Sequence, residues 1–174
     1  GSTGTISNAI QNTGLGHEVF DDLTEGDYNT GVGYHALTKL TTGSNNTAVG
    51  RAALEANLVG TNNVAVGFAA LEANTGSQNV AIGKSALAVF TESFNVAVGY
   101  RAMIACQSGE RNTAIGYDTM VDLQTSENNT AVGYNALKIV TGGDNTAIGS
   151  GAGDNTTSGV RNVYVGIDAG GGGN

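Results

Sequence analysis

The side chains in this 174-residue chain with the means for catalysis or metal binding are few. Those that stand out are His17 and His35, the lone cysteine Cys106, and a run of carboxylates at Glu18, Asp21, Asp22, Glu25 and Asp27 among the 15 Asp and Glu of the chain. A hydrolytic triad needs a nucleophile on a strained turn beside a histidine that a carboxylate orients, and no Gly-x-Ser-x-Gly turn is present. The carboxylates offer calcium the oxygen ligands it prefers, yet no Asp-x-Asp-x-Asp-Gly loop or Gly-Gly-x-Gly-x-Asp repeat organises them. They read as a solvated acidic edge that discourages end-to-end stacking. Gly14-x-Gly16 and Gly31-x-Gly33 lack the helix and the Lys-Ser/Thr that a phosphate loop requires. The two histidines read as ordinary occupants of a repeat, so the expectation is no enzyme, no metal site and no cofactor.

Binding is a better prospect than catalysis. A column of residues at matched positions runs His17, Tyr34, Arg51, Phe68, Lys84, Tyr100, Tyr117, Tyr134, Ser150 and Ile167. Exposed aromatic rings in a row can stack on sugar rings, with Arg51, Lys84 and the adjacent Arg101 donating hydrogen bonds. The competing expectation is that these side chains pack on one another, with Arg51 and Lys84 over Phe68 as cation–π neighbours. The candidate ligand-binding residues are therefore Tyr34, Arg51, Phe68, Lys84, Tyr100, Arg101, Tyr117 and Tyr134, with Asp118 and Asn135 alongside.

What must position that column is an internal repeat. The pattern Asn-[Thr/Val]-small-[Val/Ile/Leu]-Gly recurs from Asn12 to Asn162, with anchors at Asn12, Asn29, Asn46, Asn63, Asn79, Asn95, Asn112, Asn129, Asn145 and Asn162. Anchors are spaced by 16 or 17 residues, and each is followed four positions later by glycine, from Gly16 to Gly166. Eight positions after the anchor comes a large apolar residue (Phe20, Leu37, Leu54, Leu71, Leu87, Met103, Met120, Leu137), replaced by Gly153 and Gly170 in the last two copies, as befits caps. Each unit reads as a short strand, a glycine corner, a second short strand and a polar turn. The anchors Asn29, Asn46, Asn63, Asn79, Asn95, Asn112, Asn129 and Asn145 are expected to form a turn-closing ladder, asparagine tolerating bent backbone well. A unit this short cannot bury its own apolar face, so ten units stack into a rod on the order of 50 Å long, with strands about 4.8 Å apart.

Composition agrees with a thin core. The chain has 28 Gly, no Pro and no Trp, with 40% hydrophobic residues and only 13% charged ones. Two short strands per coil make a flat roll, too thin to bury both the Val/Ile column and the Leu column. Several rolls side by side would relieve this, and the column Ala48, Ala65, Ala81, Ala97, Ala114, Ala131 and Ala147 is expected where neighbouring backbones approach closely. The net charge of -8, with seven scattered Lys and Arg, disfavours nucleic acid and anionic membrane, which both need a basic patch. No apolar run is long enough to span a bilayer. Cys106 occupies the position of Leu40, Phe90, Leu123 and Val140 in other units and reads as a buried small hydrophobe. Residues 1–11 read as a lead-in whose Gly1 and Ser2 look like a cloning scar, 12–170 as the ten-unit stack, and 171–174 as a glycine-rich tail.

Segments such as Asn63-Val64-Ala65-Val66-Gly67-Phe68-Ala69-Ala70 and Asn79-Val80-Ala81-Ile82-Gly83-Lys84-Ser85-Ala86 resemble the repeat of trimeric autotransporter adhesin heads. Similar heads occur in phage tail fibres and other mosaic trimeric fibre proteins. The turn segment here is two or three residues longer than the autotransporter repeat, which favours the fibre relatives. The resemblance implies an all-β fold, a left-handed parallel β-roll, packed as an intertwined or side-by-side homotrimer. It also implies a non-enzymatic head or adhesin module, extracellular on a cell-surface or virion fibre, that attaches to a host or prey surface through a glycan or other receptor. The alternative role is a rigid spacer of such a fibre. With no stalk or anchor pattern in view, the chain is expected to be a head fragment or short module.

Overall fold

The computed structural model describes residues 9–106, 108–123, 125–155 and 158–171. The lead-in and the tail lie largely outside them. Among the described residues, fourteen short strands follow in chain order: β1 (Thr13–Leu15), β2 (Thr30–Val32), β3 (Thr47–Val49), β4 (Val64–Val66), β5 (Ala73–Asn74), β6 (Val80–Ile82), β7 (Val89–Phe90), β8 (Val96–Val98), β9 (Thr113–Ile115), β10 (Asp122–Leu123), β11 (Thr130–Val132), β12 (Ile139–Val140), β13 (Thr146–Ile148) and β14 (Val163–Val165). The three-residue strands, one from each repeat, form a single ten-stranded parallel sheet in the order β1-β2-β3-β4-β6-β8-β9-β11-β13-β14. Equivalent repeat positions pair, Ala48 with Ala65 and Ala65 with Ala81. The chain is thus a parallel β-solenoid of about nine complete turns.

Each strand ends at the repeat glycine for a steric reason. Gly50 has φ of 133°, and a β-carbon there would lie 2.5 Å from the carbonyl oxygen of Gly67 in the next coil. Both the backbone conformation and the close stacking exclude a side chain.

The second half of the unit departs from the expected strand. Among the described residues only β5, β7, β10 and β12 reach strand geometry there, in two separate two-stranded sheets. In most coils this segment alternates through left-handed backbone, as at His35 (φ 60°) and Leu37 (φ 53°), or Ala52 (φ 58°) and Leu54 (φ 52°). The alternation turns successive amides in opposite directions along the stack: Ala52 N–H donates to the Tyr34 carbonyl of the preceding coil and Leu54 N–H to the Ala70 carbonyl of the following one. Left-handed backbone costs an L-residue roughly 1–2 kcal/mol. The return is that from the second coil onward these amides are bonded to neighbouring coils and each Leu or Met of the column is buried completely.

The strand faces are assigned differently from the expectation for the alanine column. Ala48, Ala65, Ala81, Ala97, Ala114, Ala131 and Ala147 are fully buried inside the coil, whereas Val49, Val66, Ile82, Ile115 and Ile148 lie exposed on the outer face of the sheet. The alanines therefore line the core of one chain and not a seam between chains. The interior is so shallow that the leucine column crosses it and leaves room for little beyond a methyl group. At the first coils the sizes are exchanged: Phe20 fills the leucine position while Gly14 and Gly31 occupy the alanine position, where a β-carbon would come within 3.1 and 3.3 Å of the Phe20 ring. At the other end Tyr164 takes the alanine position, and its ring fills the space above Gly153 and Gly170; a β-carbon on Gly170 would sit 2.1 Å from it. The two terminal glycines are thus half of an aromatic plug.

Candidate ligand-binding column

The corner after each glycine turns the chain outward, and stacking puts all corners on one edge of the rod. Tyr34, Arg51, Phe68, Lys84, Tyr100, Tyr117 and Tyr134 are all exposed there. Tyr100 and Tyr117 have ring centroids 5.0 Å apart, and Tyr117 and Tyr134 5.6 Å apart, in both cases stacked. The Arg51 guanidinium lies 5.8 Å from the Tyr34 centroid and 5.3 Å from that of Phe68, while the Lys84 ammonium lies 5.7 Å from both Phe68 and Tyr100. Arg101 sits over Tyr100 at 5.9 Å and approaches the Asp118 carboxylate at 3.5 Å. From His17 to Tyr134 the column is thus a continuous file of rings and cations.

This geometry limits what the column can do. Rings stacked on one another at these distances present edges and hydroxyls to solvent. The open face belongs to Tyr134, the most exposed of the three consecutive tyrosines at 55%, because its neighbour in the next coil is the small Ser150. Beside it the Asn135 Oδ1 is enclosed and has no hydrogen-bond partner among the described residues. A planar or chair-shaped ligand would meet an aromatic face at this step and a row of hydroxyl, ammonium and guanidinium donors beyond it.

The anchor asparagines are placed for another task. From Asn29 to Asn162 the backbone N–H of each anchor donates to the Oδ1 of the preceding anchor, at 2.8 to 3.0 Å throughout. Their Nδ2 atoms reach turn carbonyls, as from Asn46 to Gly60 at 2.8 Å and from Asn112 to Ser126 at 3.0 Å. The anchors Asn29 to Asn145 are buried, so these amides close turns and face no ligand. It is the residue before each anchor that takes left-handed backbone, as at Asn45, Phe94 and Arg111. Bent backbone is therefore not the reason for asparagine at the anchor; a side chain carrying both donor and acceptor is.

Burial pushes the Cys106 thiol up to about 12, and its S–H points at the Met120 carbonyl at 3.7 Å. The acidic residues of the first coils do not converge on one point. Asp27 accepts the Ile10 N–H at 2.8 Å, while Glu18 turns toward both histidines. The group formed by His17, Glu18 and His35 was not evident from the sequence, where the histidines belong to neighbouring columns. The signal was the stacking register itself, which brings position five of one coil beside position six of the next.

No family model, curated protein or solved structure matches the chain. The resemblance to adhesin and fibre heads rests on the repeat residues, and the architecture is that of a parallel β-solenoid.

Proposed function

We propose that this chain is a non-enzymatic head module of a trimeric surface fibre, a left-handed β-roll that meets a surface glycan along its corner column. The observation that carries the reading is the continuous exposed file of rings and cations from Tyr34 to Tyr134, which no fold requirement of the repeat explains: Ser150 and Ile167 serve equally well at the same corner. Sugars suit such a surface because their apolar faces stack on aromatic rings while hydroxyls bond to the flanking donors. Weak contacts on each of three chains would add through avidity.

Assembly has its own support. The outer face of the ten-stranded sheet carries an apolar stripe along the whole rod, including Leu15, Val49, Val66, Ile82, Ile115, Ile148 and Val165. Contiguous apolar surface of this extent is uncommon on a protein that stays monomeric. Three such faces turned inward would hide the stripe and leave the corner column outside, consistent with an extracellular fibre.

A second reading, a rigid spacer, is favoured by the mutual stacking of Tyr100, Tyr117 and Tyr134, which satisfies those rings without a ligand. Glycan-array binding by the purified protein separates the two, run with light scattering to establish the trimer. The head reading expects binding that Tyr117→Ala with Tyr134→Ala abolishes while mass and melting temperature persist. Absence of glycan binding, or binding that the double substitution leaves intact, refutes the assignment to this column.

A further inference from the structure

At the first two coils, two imidazoles and a carboxylate come together on one edge of the rod. His17 Nδ1 lies 3.6 Å from Glu18 Oε1, and His35 Nε2 lies 2.5 Å from Glu18 Oε2. One donor atom from each of the three residues falls within 4.8 Å of the others. We propose that His17, Glu18 and His35 bind a divalent transition-metal ion, zinc by the chemistry of the donors, and that the ion clamps the first coil to the second.

Three features favour a metal over a chance meeting of charges. The donor set of two imidazole nitrogens and one carboxylate oxygen is one that zinc accepts, with bonds near 2.0–2.2 Å and a water completing the tetrahedron. Donors around such an ion stand roughly 3.4 Å apart, so the wider separations must close modestly while the short His35–Glu18 pair opens by about an ångström to admit the ion. The His17 side chain, 63% exposed, has solvent on its open side into which it can shift. Second, His35 Nε2 is closed off from solvent and forms no well-directed hydrogen bond among the described residues, although the Glu18 oxygen is so near. An imidazole nitrogen enclosed beside a carboxylate oxygen without a well-directed hydrogen bond is placed as a shared ion would place two ligands. Third, the other nitrogen of the same ring, Nδ1, faces Glu55 Oε1 at 3.5 Å. A carboxylate behind a ligating histidine fixes its tautomer and raises its basicity. Tyr34 stacks on both rings, 5.4 Å from His17 and 3.9 Å from His35, and limits their rotation.

The position suits a clamp. His17 and Glu18 belong to coil one and His35 to coil two, so one ion would tie the two coils together, with Glu55 of coil three behind His35.

The test uses the full chain without a polyhistidine tag, stripped of metal, titrated with Zn2+ against a chromophoric chelator and in parallel with Co2+ for its visible spectrum. The expected result is one Zn2+ per chain, an intense tetrahedral Co2+ band, and a melting temperature that zinc raises and chelator restores. His17→Asn or His35→Asn should remove the stoichiometric site, and Glu55→Gln should weaken it about 10- to 100-fold while circular dichroism stays unchanged. Both histidines lie at the edge of the fold, so these variants are expected to fold; should one fail, the Co2+ spectrum of the wild-type chain still decides. A weak octahedral Co2+ spectrum, or zinc binding that survives the combined histidine substitutions, would mean adventitious binding to surface carboxylates and would overturn the proposal. So would the absence of zinc binding at tens of micromolar.

Discussion

Replacing Asn112 by alanine tests whether the asparagine ladder or the apolar column holds successive coils in register. Its Oδ1 accepts the Asn129 backbone N–H at 2.9 Å, and its Nδ2 donates to the Ser126 carbonyl at 3.0 Å. Truncation leaves both backbone groups unpaired in a region where Asn112 and Asn129 are fully buried. Each such group costs roughly 1–3 kcal/mol, so the expected loss is about 2–6 kcal/mol. Asn162, at the end of the ladder, provides the internal control. Its Nδ2 donates to Asn145 Oδ1 at 3.0 Å, but that oxygen keeps the Asn162 backbone N–H at 3.0 Å after truncation. Asn162→Ala removes one ordinary bond, worth about 0.5–1.5 kcal/mol. Urea denaturation at one fixed protein concentration measures both, so that any self-association affects the two variants alike. If Asn112→Ala falls within about 0.5 kcal/mol of Asn162→Ala, a margin set by the ordinary scatter of surface substitutions, the ladder is not what holds the coils.

Two further expectations follow from the corner and the core. Gly116→Ala places a β-carbon 2.4 Å from the Gly133 carbonyl and 2.7 Å from Thr119 Oγ1, whereas Gly166→Ala meets no described atom within 4 Å at a comparable left-handed φ. The latter should cost only backbone strain, about 1–3 kcal/mol, and the former clearly more, a difference that thermal melting reads directly and that equal melting temperatures would refute. Burial raises the Cys106 thiol from 9.0 to about 12, so folding keeps it protonated where the unfolded chain ionises. Its contribution to stability is constant below pH 9 and declines as pH rises toward 12. A Cys106→Val variant, which mimics Val140 in the same column, should lack that decline in parallel melts, and a thiol reagent at neutral pH should modify the wild-type chain only on unfolding.

The repeat by itself determines much of this protein. In a parallel in-register stack, the neighbours of a residue along the rod are its own counterparts one period away. A period of 16 or 17 residues therefore specifies the long-range pairing of Ala48 with Ala65, the coincidence of the glycine corners, the file of tyrosines and the burial of Cys106 beneath its column. Alternation alone could not say which strand face is the interior, because both faces are apolar. Only the depth of the core decided that, by admitting alanine and turning Val49 and Ile82 outward. The left-handed backbone at Leu37 and Leu54 was hidden because leucine carries no local preference for it and adopts it for the bonds and burial that neighbouring coils supply. Contacts between different columns, such as Tyr164 over Gly153 and Gly170 or His35 against Glu55, depend on how side chains cross from one repeat position to another. A period specifies which residues share a position, and only the folded coil decides which positions meet.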